Sequence, residues 1–187
     1  SQSLLLLDGQ PLRHPQIGHV DLSLLPTALM QSVEVSHGGG SSLYGSSGIG
    51  GATHVRSLDA GETPPIQTRL GWGAFGQRTA SLTSAARSEE VSAVGAIRYR
   101  HRDGDFPYRN ASLVPSRTVR RGNADRTEMQ GFLRLHGPRG PDPWAGGVWI
   151  AESERGVPGP ATGSPAPARQ RDGLYRAWGH LRVHPMN

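Results

Sequence analysis

Residues 37–55, HGGGSSLYGSSGIGGATHV, combine glycine, serine and histidine closely enough to suggest a phosphate cradle or an activated nucleophile. Neither pattern is completed. A GxxxxGK[ST] loop needs a lysine to reach the phosphates, and the chain contains none. The dinucleotide pattern GxGxxG breaks at Thr53, which follows Gly48 and Gly50 where a third glycine belongs. The hydrolase elbow GxSxG breaks at Ile49, after Gly45 and Ser47. What remains is the property of glycine itself, positive φ and close backbone approach, so the run reads as tight turns that fit against something else.

The other chemistry-bearing residues are sparse. His180 and His184 have a spacing that shares a metal ion on a helix, but the alternation around them is that of a strand. On a strand they lie ~13 Å apart, too far for one ion. Asp103 and Asp105, in HRDGDFPY, read as a solvated turn ahead of a calcium site. His14, His19 and His37 are isolated loop histidines, and Asn110-Ala111-Ser112 fits a glycosylation pattern too short to carry weight. No metal, cofactor or catalytic residue is expected, and the chain reads as a non-enzyme.

Composition narrows the class further. The chain has 187 residues, 35% apolar and 6% aromatic, with 26 glycines and 15 prolines, which favours many turns over a generous soluble core. The net charge is +5, carried by arginines spread from Arg13 to Arg182 and not clustered, which argues against nucleic acid. Absence of cysteine excludes disulfides and thiolate chemistry. SLLLL at residues 3–7 is too short for a signal-peptide core, and no apolar run is long enough for a spanning helix. The chain opens and stops on strand-like runs, so an excerpt of a longer protein is expected.

The elements that would position these residues follow from periodicity. LLLL (4–7) and the turn Asp8-Gly9 predict a strand leaving through a hairpin. LSLLPTALMQSVEV predicts a short helical turn from Pro26 through Leu29 and Met30, then a strand at residues 33–35. ATHVRS (52–57) is one more strand, and LDAGETPP from residue 58 is a linker. Beyond it the alternation has period two, in 66–72, 78–86, 91–100, 128–136, 144–151 and 173–184.

Ile66, Leu70 and Trp72 oppose Gln67 and Arg69; Ile97 and Tyr99 oppose Arg98 and Arg100; Met129 and Leu133 oppose Glu128, Gln130 and Arg134. About six strands of ~9–11 residues, with short turns at 87–90 and 137–143 and long polar loops at 103–127 and 153–172, fit a membrane barrel. A soluble sandwich also alternates, but its core would have to form from a face dominated by alanine, glycine and single leucines.

LLLLDGQPL, SLLPTALMQSVEV and HGGGSSLYGSSGIGGATHV, in that order over residues 4–57, resemble the second half of the plug domain of TonB-dependent outer-membrane receptors. GWGAFGQRTASLT resembles the first barrel hairpin of that family, and GDFPYRN and ERGVPGP resemble its early extracellular loops. The vitamin and siderophore receptors are the most similar branch.

The resemblance implies a mainly β chain: residues 1–58 as the C-terminal half of a plug of mixed α/β character, and 59–187 as about six antiparallel strands of a transmembrane β-barrel that is 22-stranded in full. It implies uptake across the bacterial outer membrane of a scarce nutrient such as a siderophore–iron complex or cobalamin, energised by TonB through a segment outside this chain. Outer-membrane lipid would be the surrounding partner. By the same analogy Arg13, His14, Gln16 and His19 become substrate-binding candidates, and Glu34, His37, Arg69, Arg98 and Arg100 plug–barrel contacts. The chain reads His37-Gly38-Gly39 where the family usually has arginine, glycine and proline. The rival class is a structural or adhesive outer-membrane barrel without transport.

Overall fold

A computed structural model describes residues 4–12, 30–37, 50–110, 113–138, 143–160 and 167–181. The chain forms two compact units, Ser1–Glu62 and Thr63–Asn187.

In the first unit β1 (Leu4–Leu7), β2 (Gln10–Pro11), β3 (Met30–Ser36) and β4 (Ala52–Ser57) form one sheet in the order β2-β1-β4-β3. Asp8 and Gly9 both have positive φ, 50° and 80°, as a two-residue hairpin turn between right-twisted strands demands. Asp8 also reaches back across the sheet: its carboxylate accepts the Ser57 backbone N–H at 2.9 Å and the Ser57 hydroxyl at 2.6 Å. The leucine run is continuous because β1 is central and parallel to β4, with Leu4 opposite Ala52 and Leu7 opposite Val55. Leu6, only 1% exposed, anchors the small core with Leu4 and Ala52. Met30, expected in a helical turn, instead begins β3, where Met30 pairs with Ser57. Pro26 and Leu29 lie outside the described residues, as does any helix of this half.

In the second unit β5 (Ile66–Trp72), β6 (Arg78–Arg87), β7 (Ser92–Arg102), β10 (Arg126–His136), β11 (Trp144–Gly156) and β12 (Arg169–Leu181) form a six-stranded antiparallel meander. β5 and β12 are its two edges. Two corrections to the expected loops follow. The span 103–127 contains a hairpin of its own, β8 (Pro107–Asn110) with β9 (Arg117–Arg120), and its end begins β10. The span 153–172 shrinks to 157–168, because Ser153–Gly156 and Arg169–Asp172 pair as strand. Those ends are polar and carry charged side chains, so hydrophobic alternation stops before the backbone ladder does.

Register fixes two unlike faces. One cross-strand row runs Thr68, Leu82, Ile97, Gly131, Ile150, Tyr175. This face is open: Ile66, Leu70, Met129, Leu133 and Tyr175 are exposed, and Trp72 is 78% exposed. The opposite face runs Thr83, Ala96, Phe132, Trp149, Arg176, and there Val94, Ala96, Phe132 and Trp149 are buried. A sheet stabilised by water exclusion would bury the larger apolar set, each such side chain contributing about 1.5–3 kcal/mol. Here that set faces outward.

Candidate functional site

The buried face carries an ionic cluster built by register. β7 places Arg100 opposite Glu128 of β10, and β11 places Ser153 on the other side of Glu128. Glu128 receives Arg126 Nε at 2.6 Å and Arg100 Nη1 at 3.5 Å, and Arg126 Nε also donates to Ser153 Oγ at 3.2 Å. A single carboxylate thus serves two guanidiniums with little water access, the arrangement a buried charge requires. One row further along, Arg98 stands opposite Gln130. Gln130 is 7% exposed, and its Oε1, the Arg100 Nε and the Trp149 indole Nε1 are buried without hydrogen-bond partners among the described residues. Unmet donors and acceptors of this kind cost about 1–3 kcal/mol each.

The strand ends towards the longer connections are tied together. Arg169 bridges Asp125 and Glu154, each at 2.7 Å, and Arg171 Nε meets Glu154 Oε2 at 2.9 Å. The hydrogen bond from Arg169 is the main cause that holds the Asp125 carboxyl below its ordinary value. Asn123, at φ 52°, donates from one amide nitrogen to the Val157 and Ala168 carbonyls, joining the root of one connection to the other. Asp103 and Asp105 are engaged with His101 and Arg120 respectively, and no metal-binding cluster occurs among the described residues. Phe75, Phe106 and Tyr108 form an aromatic chain at centroid distances of 6.1 and 6.5 Å, with Arg121 over the Tyr108 ring at 5.7 Å.

The residues expected at a site from sequence separate into three groups. Arg13, His14, Gln16 and His19 lie outside the described residues. In the first unit Glu34 stands exposed on β3 opposite His54, and His37 is exposed just beyond that strand. In the second unit Arg69 is exposed, while Arg98 and Arg100 are half-buried on the face of Glu128. Sequence reasoning placed Glu128 and Gln130 on the arginine side but did not single them out, nor Arg126 and Ser153. Alternation gave the side; only register gave the pairing.

Residues 1–52 match the family described as the TonB-dependent Receptor Plug Domain. The vitamin B12 transporter BtuB of Vibrio vulnificus is 31% identical over 71 residues, covering 38% of this chain and 12% of the transporter. The crystal structure of the siderophore receptor PirA from Acinetobacter baumannii matches with a TM-score of 0.47 and 16% identity, covering 82% of this chain and 24% of PirA. The matched stretch therefore spans about an eighth of the length of that curated relative. Residues 1–52 of this chain are thus similar to the plug domain of TonB-dependent receptors, and a long antiparallel meander follows them.

Proposed function

We propose that this chain is part of an outer-membrane receptor that takes up a scarce metal chelate or cobalamin with energy delivered by TonB. The observation that carries the proposal is the joining, in one chain, of plug-family sequence at 1–52 to a sheet whose large apolar residues face outward. The dimensions support a bilayer. Trp144 is bonded opposite Gly137, and the row of Trp72 crosses β10 at Thr127. These levels are about ten residues apart, ~33 Å of strand. At a tilt of ~40° that is ~25 Å of height, the thickness of the apolar band of an outer-membrane barrel, with tryptophan at each margin.

On this reading residues 1–58 are plug and 59–187 barrel strands. Arg13, His14, Gln16 and His19 contribute to the substrate site, while Glu34, His37, Arg69, Arg98 and Arg100 make plug–wall contacts. No step of covalent chemistry is involved. An adhesive barrel has no need of plug-family sequence, and no observation favours one. Uptake of radiolabelled cyanocobalamin and ferric chelates, measured in cells with the full-length receptor present or deleted and with TonB present or deleted, tests the proposal. Accumulation of one probe that needs both proteins is expected; uptake indifferent to both overturns it.

A further inference from the structure

Two glycines on the open face of the six-stranded sheet have no reason within the chain. Gly95 of β7 and Gly131 of β10 stand in strand interiors whose mutual pairing runs without a bulge. Neither has positive φ. Packing does not exclude a side chain either: a Cβ at Gly131 would meet nothing within 4 Å, and one at Gly95 would make ordinary contact, at 3.6 Å from the Phe132 carbonyl oxygen. Gly147 is the contrast, since a Cβ there would lie 2.5 Å from the Trp178 ring. Interior glycines weaken a strand, and where they relieve no bulge and no clash of the chain's own they fit the close approach of another molecule.

Register sets the two side by side. Gly131 lies between Ile97 and Ile150, and Gly95 between Ser84 and Leu133 in the adjacent row. The result is a depression of about 500 Å³, floored by glycine and walled by Leu82, Ile97, Leu133, Val148 and Ile150. Ser84, at its margin, turns its hydroxyl to the Pro65 carbonyl at 2.9 Å. The walls offer aliphatic contact alone, which suits a flexible hydrocarbon chain.

Charge orients that chain. Towards the long connections the open face ends in the row Trp72, Arg78, His101, Thr127, Glu154, Arg171. Its other end is the uncharged row Ala86, Ala93, Leu135, Gly146, Gly179. The acids of the charged end are taken up: Asp125 by Arg169, Glu154 by Arg169 and Arg171, and Glu152 accepts the Tyr175 hydroxyl. Arg78, directly opposite the exposed Trp72, makes no ion pair among the described residues. From the Arg78 row to the centre of the depression is about five residues, ~16 Å of strand. At a tilt of ~40° that is ~13 Å of height, half the ~25 Å apolar band of an outer-membrane barrel. A phosphate at Arg78 therefore places the far half of an acyl chain over the two glycines.

We propose that the open face holds one lipid molecule at a fixed place, its acyl chain in the Gly95–Gly131 depression and its phosphate headgroup at Arg78. The proposal rests on the reading of this face as membrane-facing and adds a lipid site to it. Binding makes and breaks no covalent bond.

The test titrates the full-length receptor in neutral detergent with dimyristoyl phosphatidylglycerol and dimyristoyl phosphatidylcholine, counting bound lipids by native mass spectrometry. One phosphatidylglycerol bound ahead of all others is expected. Gly131→Leu, which fills the depression from an open position, should weaken that lipid about tenfold or more. Arg78→Gln should bring phosphatidylglycerol down to the level of phosphatidylcholine and leave the latter unchanged. Gly131→Ala, a smaller filling, keeps the chain site testable if the leucine variant does not fold. Unaltered binding in both glycine variants overturns the proposal, as does equal binding of the two lipids in the unsubstituted receptor. A second copy of the receptor seated over Gly131, seen as a dimer that Gly131→Leu dissociates, overturns it too. Loss of the lipid site with uptake intact defeats the proposal alone; a full-length receptor that stays soluble without detergent or lipid defeats it together with the uptake reading.

Discussion

The two sheets of this chain treat the same side chains in opposite ways. In the first, Leu4, Leu6 and Leu7 are buried between β2 and β4, and the exposed positions go to the edge strand β3. In the second, Leu70, Leu133 and Ile150 stand in the open while Glu128, Gln130 and Ser153 are buried. A leucine in water-excluded packing and a leucine facing lipid are both satisfied; a leucine facing water is not. The contrast teaches that apolar alternation marks two environments on either side of a strand, not which of them is the core.

Substitutions can break that contrast, beginning where the expected loss is largest. Glu128→Gln removes the carboxylate shared by Arg100 and Arg126, and should cost about 3–5 kcal/mol by leaving two guanidiniums uncompensated. Urea unfolding of the full-length receptor in lipid vesicles measures it, and a loss below ~1 kcal/mol would mean that water or other acids serve those arginines. Leu6→Ala, in the buried leucine run, should cost about 2–5 kcal/mol. The loss should appear as faster hydrogen exchange in β1 and β4, leaving β10 and β11 unchanged.

Ile150→Arg on the open face is the sharpest discriminator. In lipid it should destabilise by about 2–4 kcal/mol, whereas on a water-facing surface it would be neutral or would improve solubility. Chemical denaturation in vesicles and expression yield separate the two outcomes. The smallest effect is at the strand ends. Asp125 has its carboxyl lowered by Arg169, so its contribution is present above the ordinary carboxylate pKa of about 4 and fades as pH falls through the lower folded value. Exposure to solvent keeps it well under ~1 kcal/mol. Asp125→Asn should remove this acid-side loss of protection at Gly156, whose N–H donates to the Asp125 carbonyl, with little change at neutral pH.

Much of the strand pattern was legible without coordinates. β5 has the bounds expected from IQTRLGW, and Gly73–Gln77 makes the turn expected of GAFGQ, with Gly73 donating to the Gln77 carbonyl. The first-unit hairpin was written in Asp8-Gly9, since few other pairs tolerate two positive φ values in succession. Less legible were the polar strand ends at Ser153–Gly156 and Arg169–Asp172, where hydrogen-bonded ladder continues without a hydrophobic signal. The hairpin within 103–127 was hidden for a related reason: strands of four residues such as PYRN carry too little alternation to detect.

Composition and order of residues determined the strands, their two faces and the plug-like segment, because alternation and turn chemistry are local properties of the chain. Tertiary structure decided which groups meet. The parallel pairing of Leu4–Leu7 with Ala52–Val55 joins residues more than forty positions apart. The sharing of Glu128 by Arg100 and Arg126 likewise exists only once register is set. A shift of one residue between β7 and β10 would leave every strand intact and dissolve the site, since each side chain would then turn to the other face.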